Sequence, residues 1–199
     1  SELSFRLQVQ QGLKLMSYLT SYRFQLETCF NKVALKPITQ LFYEQSQYIY
    51  RPSHYSIWID GSGANKDHQG ATWAMAVTKH GMGFQLFEFL GFATGHVVLN
   101  PQESFYIGCD SATNNTGELS AMFYALLWTV HFAPCHRELY GYLPKFIIGY
   151  DSELAANVTQ GKWHLRYHTN LVLVVQSLYL YAITFADIEF THIKSVSYT

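Results

Sequence analysis

A short apolar segment, residues 145–150, constrains the fold more than any other feature of the chain. Its length and continuous apolar character predict a strand buried on both faces, which is typical of parallel sheets covered by helices. Apolar residues at helical spacing predict a long helix over 117–132, and two further helices are predicted over 152–160 and 168–181. The sequence therefore predicts an α/β fold.

Four further strands complete the predicted sheet. Alternating and β-prone residues predict strands over 55–60, 71–78 and 84–92, joined by short glycine-containing turns as an antiparallel meander. A last strand is predicted over 188–193. Pro134 is expected to end the long helix, because proline lacks the backbone N–H that a helix interior needs. The predicted order is βββαβααβ, a mixed five-stranded sheet flanked by helices and preceded by a helical segment.

Charge divides the chain into two parts. Residues 1–54 carry six basic and three acidic side chains, a net charge of +3, whereas residues 55–199 carry seven basic and eleven acidic side chains, a net charge of −4. The boundary falls near Arg51–His54, where a proline disfavours helix in the residue before it. We predict a helical lead-in or connection segment over 1–54 and an α/β domain over 55–199.

Composition narrows the classes of protein that remain. A formal net charge of −1 excludes a strongly basic coat for nucleic acid. The three cysteines argue against a disulfide scaffold and favour a reducing compartment. The longest apolar run, 171–186, contains polar residues and is too short to span a bilayer. An intracellular protein, cytoplasmic or nuclear and without a membrane partner, is predicted.

Three carboxylates stand at positions that favour ligand binding. Asp60 ends the first predicted strand, Asp151 ends the buried fourth strand, and Glu118 is placed in the first turn of the long helix. If the first and fourth strands are parallel neighbours, these carboxylates converge at the sheet edge where α/β proteins bind ligands. Such carboxylates repel one another unless cations neutralise them, and Mg²⁺ or Mn²⁺ suits oxygen ligands. Singly, each residue also fits an ordinary role in a turn, beside a helix dipole or near a cap.

At this point the sequence resembles a known family, ribonuclease H. The matching segments are IDGS at 59–62, GATWA at 70–74, TNNTGELSA at 113–121, YDSE at 150–153, TQGKW at 159–163 and THIK at 191–194. They cover roughly 55–199 in the family's order and are most similar to ribonuclease H domains of retroelement polyproteins. The resemblance implies that residues 1–54 connect to an upstream reverse-transcriptase domain.

The resemblance also implies the catalytic residues and the cofactor. Asp60, Glu118 and Asp151 match three of the family's four metal-binding carboxylates, which implies two Mg²⁺ or Mn²⁺ ions. In the family, the strand that ends the match leads to a histidine and then to a helix that starts with the fourth carboxylate. Here Val196 stands at the histidine position, and we expect a ribonuclease H-like domain without that C-terminal helix. We therefore expect impaired activity, with exposed apolar surface near Val196 and Tyr198.

The substrate-binding residues are likewise implied by the resemblance. Asn114 and Asn115 match positions that contact the minor groove of an RNA–DNA hybrid, and Thr113 matches a position beside a phosphate of the DNA strand. The backbone at Gly61 and Ser62 is expected to approach the RNA strand closely. The last two candidate residues for binding the hybrid are Lys162 and Trp163.

The predicted function is metal-dependent endonucleolytic hydrolysis of the RNA strand of RNA–DNA hybrids. The alternatives are a non-catalytic module that binds the hybrid and a degenerate structural remnant of a retroelement. Another metal-dependent nuclease on the same fold fits the TNNTGELSA segment poorly.

His164 and His168 have the spacing of a metal-binding pair but lack an evident third ligand, and His192 is predicted to be a packed core residue.

Overall fold

A computed structural model describes residues 51–63, 70–81, 87–103 and 105–193. The predicted helical lead-in falls almost entirely outside these ranges, as do Val196 and Tyr198 with the apolar surface expected beside them. No helix in these ranges has the length and apolar character needed to cross a membrane.

The described chain contains five strands and three helices. They are β1 (Pro52–Ser62), β2 (Thr72–Gly81), β3 (Phe87–His96), α1 (Asn114–Tyr140), β4 (Lys145–Tyr150), α2 (Glu153–Thr159), α3 (Thr169–Ala182) and β5 (Asp187–His192). This is the predicted order βββαβααβ, and β4 has the predicted bounds.

All five strands join one sheet in the order β3-β2-β1-β4-β5. The first three strands pair antiparallel, while β4 pairs parallel with both β1 and β5. The predicted fold class, a mixed five-stranded sheet with helices packed against it, is therefore confirmed.

The hydrophobic core lies between one face of the sheet and α1. Alternate residues of the central strands, such as Ile57, Met75 and Ile148, are almost completely buried on that face. The helix α1 is buried along most of its length, and α3 packs beside it. The core therefore holds α1 firmly against the strands that end at the carboxylates.

Pro134 lies inside α1, so the prediction that it ends the helix is wrong. A proline in a helix interior costs about 3 kcal/mol because it removes a hydrogen bond and crowds the preceding turn. Phe132 and His136, on either side of it, are buried and make edge-on ring contacts with Tyr55. Burial of large side chains, at about 1.5–3 kcal/mol each, offsets the proline. The helix ends instead at Gly141, whose φ of 81° suits glycine.

Every strand except β4 differs from its sequence-based bounds at one or both ends, and β1 and β3 differ most. β1 starts at Pro52 rather than Tyr55, so residues 52–54 lie in the sheet. β3 is described from Phe87 to His96, and residues 84–86, where it was predicted to start, lie outside the described ranges. The domain boundary itself stays a prediction.

Candidate functional site

The register of the parallel strands places two carboxylates at the same end of the sheet. β1 and β4 pair in parallel as far as Trp58 and Gly149. Asp60 and Asp151 each lie two residues further along their strands, and both are exposed. The condition for convergence of these two residues, that β1 and β4 are parallel neighbours, is therefore met.

Glu118 lies in the second turn of α1, because the helix begins at Asn114 rather than at Gly117. The ordinary explanation of a glutamate in the first turn, which is compensation of the helix dipole, does not apply to it. The residue is only 7% exposed, and its Oε2 atom is buried without a hydrogen-bond partner. A buried carboxylate oxygen without a partner is costly, so this atom points to a ligand.

Two glycines bring Glu118 to the strand that carries Asp60. A Cβ atom on Gly61 would lie 2.2 Å from the backbone nitrogen of Glu118, and one on Gly117 would lie 2.7 Å from the carbonyl oxygen of Thr72. Only glycine allows backbones to approach so closely. In this structure the close approach that Gly61 permits is to α1.

The three carboxylates influence one another electrostatically. The pKa of Glu118 is raised to about 7, first by burial and then by the negative charges of Asp60 and Asp151. A hydrogen bond between the side chains of Glu118 and Asp60 raises this pKa further, while the backbone N–H of Gly61 opposes the shift. The site therefore concentrates negative charge in a partly dehydrated place.

The alternative explanation for Asp151, helix capping, finds no support. The N-cap residue of α2 is Ser152, and its side chain makes no capping hydrogen bond. Asp151 is left exposed at the carboxyl end of β4.

The donor atoms at this end of the sheet suit a hard divalent cation. Within the described ranges, no three His, Cys, Asp or Glu side chains stand close enough together to form a metal cluster. Asp60 and Glu118 nevertheless provide carboxylate oxygens in contact with each other, and one of these residues has the unpartnered Oε2. This pair fits Mg²⁺ or Mn²⁺ by its chemistry.

The predicted groove residues at the start of α1 also hold the local structure together. Thr113 caps the helix reciprocally with Thr116, whose backbone N–H donates to the Thr113 hydroxyl at 3.2 Å. Asn114 accepts a hydrogen bond from the backbone N–H of Gly63 through its Oδ1. Asn115 is half-buried. The structure therefore places these three residues together next to the end of β1.

Ser62 lies at the end of β1, where its hydroxyl is 2.7 Å from that of Thr72. Lys162 and Trp163 lie apart from these residues, on the loop between α2 and α3. Their backbone N–H groups both donate to the carbonyl oxygen of Asn157, and both side chains are exposed.

His192 is not a core residue, which corrects the prediction. It is exposed at the end of β5, and its Nε2 donates to the carbonyl oxygen of Asp151 at 3.0 Å. The register pairs it with Tyr150, so the parallel order of β4 and β5 brings it to the carboxylates. Sequence analysis did not predict this placement. The position of His192 at the carboxyl end of a parallel strand could have indicated it, because ligand sites in α/β sheets lie at those ends.

His164 and His168 do not act together. The Nδ1 atom of His168 lies 2.5 Å from Asp110 Oδ1, and His164 lines a separate cavity of about 330 Å³ with Thr159, Trp163 and Tyr179.

Comparison with solved structures finds ribonuclease H domains of similar fold. RNase H1 from the halophilic archaeon Halobacterium salinarum is 15% identical over 71% of this chain and 86% of its own, with a TM-score of 0.46. LC11-RNase H1 in complex with an RNA/DNA hybrid is 15% identical over 70% of this chain and 85% of its own, with a TM-score of 0.46. The PFV RNase H domain is 13% identical over 74% of this chain and 84% of its own, with a TM-score of 0.43. The sequence matches no family model and no curated protein.

Proposed function

We propose that this chain hydrolyses the RNA strand of RNA–DNA hybrids in a metal-dependent reaction. One observation carries the proposal: the side chains of Asp60 and Glu118 are hydrogen-bonded to each other at the carboxyl end of β1, and the charge of Asp151 at the end of the parallel strand β4 acts on Glu118. A purely structural site gains nothing from like charges held together, because their repulsion destabilises the fold. The sequence resemblance supplies the chemistry that makes such an arrangement useful.

The proposed cofactors are two Mg²⁺ ions, or Mn²⁺ in their place, held by Asp60, Glu118 and Asp151. When bound, they supply Lewis acidity that activates water and stabilises the leaving 3′ oxygen of the RNA. The chain itself fixes the positions of its carboxylates. The contact between Gly61 and Gly117–Glu118 fixes the separation of strand and helix before any ligand arrives.

Glu118 also couples cation binding to proton release. With a pKa of about 7, its side chain holds a proton in a substantial fraction of molecules at neutral pH. Coordination requires the ionised carboxylate, so the proton leaves as a cation binds.

Recognition of the hybrid is proposed to rest on shape and on 2′-hydroxyl groups. Asn114 and Asn115, next to the end of β1, are proposed to offer their amide groups to the minor groove, and Thr113 is proposed to help hold a phosphate of the DNA strand. Lys162 and Trp163 offer a positive charge and a stacking surface further along the duplex. An upstream reverse-transcriptase domain of the same polyprotein is the proposed covalent partner.

A second candidate function, binding of the hybrid without cleavage, is favoured by one observation. The described residues hold no cluster of three His, Cys, Asp or Glu side chains close enough together to bind a metal ion. A module of this kind would keep the groove residues and lack turnover.

The experiment that separates the two candidates uses a labelled RNA–DNA hybrid with Mg²⁺ and then with Mn²⁺. Asp60→Asn is the matched control, since it removes one charge and keeps the shape of the side chain. Cleavage that the control abolishes supports the nuclease. Binding in a gel shift without cleavage supports the second candidate, and failure to bind at low salt rejects both.

A further inference from the structure

The face of the sheet that is turned away from α1 is exposed over β1 to β3. Four aromatic side chains on it, Trp58, Phe87, Phe89 and Phe92, are between 43% and 64% exposed. We call these four residues the aromatic face. Together they present about 400 Å² of apolar surface, which is the size of patch that usually marks an interaction site on a protein.

The strand register places the aromatic face on one side of the sheet. Trp58 pairs with Ala76, and Ala76 pairs with Phe92, so these residues form a row across β1, β2 and β3. The neighbouring pair, Ile57 and Val77, is buried in the core. Because side chains alternate between the two faces of a strand, the row that holds Trp58 and Phe92 points away from α1.

Two further rows lie closer to the start of β1. Phe89 pairs with Thr78, and Phe87 pairs with His80, whose ring stacks on that of His54 with 4.4 Å between the ring centroids. Burial is the first cause that lowers the pKa of both histidines, so their rings are neutral at neutral pH. The three rows therefore present an uncharged and largely apolar surface.

A segment earlier in the same chain has a complementary pattern. Its apolar residues Leu15, Leu19, Tyr22, Leu26 and Phe30 recur at intervals of three and four residues, and neither glycine nor proline interrupts 15–30. This spacing predicts an amphipathic helix with one apolar stripe. The other side of the predicted helix carries mostly hydroxyl and amide side chains, at positions 17, 20, 21, 25 and 28. Such a helix is stable in water only when its stripe is buried against another surface.

The length and attachment of this segment suit the aromatic face. The three rows extend from His54 to Trp58, which is about 13 Å along β1. A helix over 15–30 is about 24 Å long, so its stripe is long enough to cover all three rows. The chain enters the sheet at Pro52, next to the row that contains His54.

Charge favours this segment over a second copy of the chain. Residues 1–54 have a net charge of +3, whereas residues 55–199 have a net charge of −4. Two domains brought together through their aromatic faces would combine like net charges, whereas the segment brings the opposite charge. Covalent attachment also gives the segment an effective concentration on the order of millimolar, which a separate partner seldom reaches.

We propose that residues 15–30 dock on the aromatic face of the same chain, as an amphipathic helix whose apolar stripe covers Phe87, Phe89 and Phe92. The docked segment shields the exposed side chains of β3, an edge strand that would otherwise favour pairing with other chains. This inference goes beyond the proposed hydrolysis of a hybrid and does not depend on it.

Photocrosslinking in the full chain tests the docking. Phe89→p-benzoylphenylalanine keeps an aromatic ring on the face, and irradiation joins that ring to whatever lies against it. Mass spectrometry of the peptides is expected to place most crosslinks within 15–30 of the same molecule. Tyr167→p-benzoylphenylalanine, at a position 73% exposed on the α2–α3 loop, is the control for non-specific crosslinking and should give few crosslinks to that segment.

Two substitutions in the predicted helix form a matched pair in the Phe89→p-benzoylphenylalanine parent. Leu19→Glu places a charge in the apolar stripe and is expected to lower the yield of the crosslink about ten-fold. Phe24→Glu makes the same kind of change on the polar side of the predicted helix, and its yield should stay within about two-fold of the parent's.

Three other results would overturn the proposal. A crosslinked band of twice the mass on a denaturing gel would identify a second copy as the occupant of the face. Crosslinks to residues 194–199, or a yield no higher than that of the Tyr167 control, would show that the segment does not cover the face. Equal yields in Leu19→Glu and Phe24→Glu would show that the apolar stripe does not make the contact.

Discussion

The two ends of the sheet both hold buried ionisable groups, but the groups that surround them differ in charge. At the carboxyl end of β1, Glu118 is buried beside two other carboxylates and keeps one oxygen without a partner. At the other end of β1, Tyr55 and His136 share a buried hydrogen bond of 2.7 Å, and the Nε2 atom of His136 is also buried without a partner. One end collects like charges, and the other pairs neutral groups.

The environment of His136 is aromatic and favours the neutral form of its ring. Its ring packs against the rings of Tyr55, Tyr140 and Tyr142. Burial, with help from the nearby positive charge of Lys79, lowers its pKa to about 4. The imidazole is therefore neutral at physiological pH, which is the form that a dry environment favours.

The surroundings of Tyr55 and His136 stabilise the fold, whereas those of Glu118 favour a ligand. The pKa of Glu118 is raised and that of His136 is lowered, so each shift favours the neutral form of the group. Only the Glu118 end gathers like charges that an added cation would relieve. Ionisation of either group destabilises the folded state, from the alkaline side for Glu118 and from the acid side for His136.

The largest expected effect separates the two ends by function. Asp60→Asn should lower cleavage of a hybrid by about a hundred-fold or more, as for other positioned catalytic groups, with little change in melting temperature. Tyr55→Phe should do the reverse, because it leaves His136 buried without its partner, at a cost of about 1–3 kcal/mol. Initial rates and thermal melts of the two variants check this. Equal loss of activity in the two variants would contradict the assignment of catalysis to the Asp60 end alone.

Gly61→Ala should be the most damaging change to the framework of the site. The added methyl would meet the backbone of Gly117 and Glu118, and backbone cannot move aside as a flexible side chain can. We expect a loss of about 3 kcal/mol or more in the free energy of unfolding, measured with urea. Gly70→Ala is the matched control, since a methyl there meets nothing within 4 Å. Similar stabilities of the two variants would contradict this account.

Acid should destabilise the chain through His136. The folded pKa of His136, about 4, lies below the unfolded value of 6.5. The neutral ring therefore contributes its full stabilisation to the folded chain above pH 6.5, and this contribution is lost as the pH falls toward 4. The complete shift corresponds to about 3 kcal/mol. Unfolding free energies between pH 7 and pH 4 should fall less steeply in His136→Asn, which does not titrate there. Unfolding free energies that fall equally steeply in the wild type and in His136→Asn would contradict this role of His136.

Glu118→Gln should stabilise the chain at high pH when divalent cations are removed with a chelator. The folded pKa of about 7 lies above the unfolded value of 4.5, so the wild type loses stability as the pH rises from 4.5 through 7. We expect a gain of about 3 kcal/mol at pH 8 and almost none at pH 4.5. Mg²⁺ should then stabilise the wild type more than the variant, because only the wild type keeps all three carboxylates. A Mg²⁺ response equal in the two proteins would argue against a cation site here.

Sequence analysis recovered the order of elements because each has a local signature. The apolar run of β4 and the helical spacing of α1 are visible without knowledge of the fold. The end of α1 was predicted wrongly, because the cost of Pro134 is visible locally, whereas the burial that offsets it depends on Tyr55, which is far away in sequence. The same limit hid the placement of His192, whose exposure depends on where β5 lies in the sheet.

Local patterns in the sequence are enough to predict the α/β class and the carboxylates at the ends of strands, since alternation, apolar runs and glycines act over a few residues. They do not predict that β1 and β4 are neighbours in register, that Gly61 lies against Gly117, or that Asp110 meets His168. These contacts join residues dozens of positions apart. They form because the core fixes α1 and α3 against the sheet, and no local preference of the chain specifies that packing.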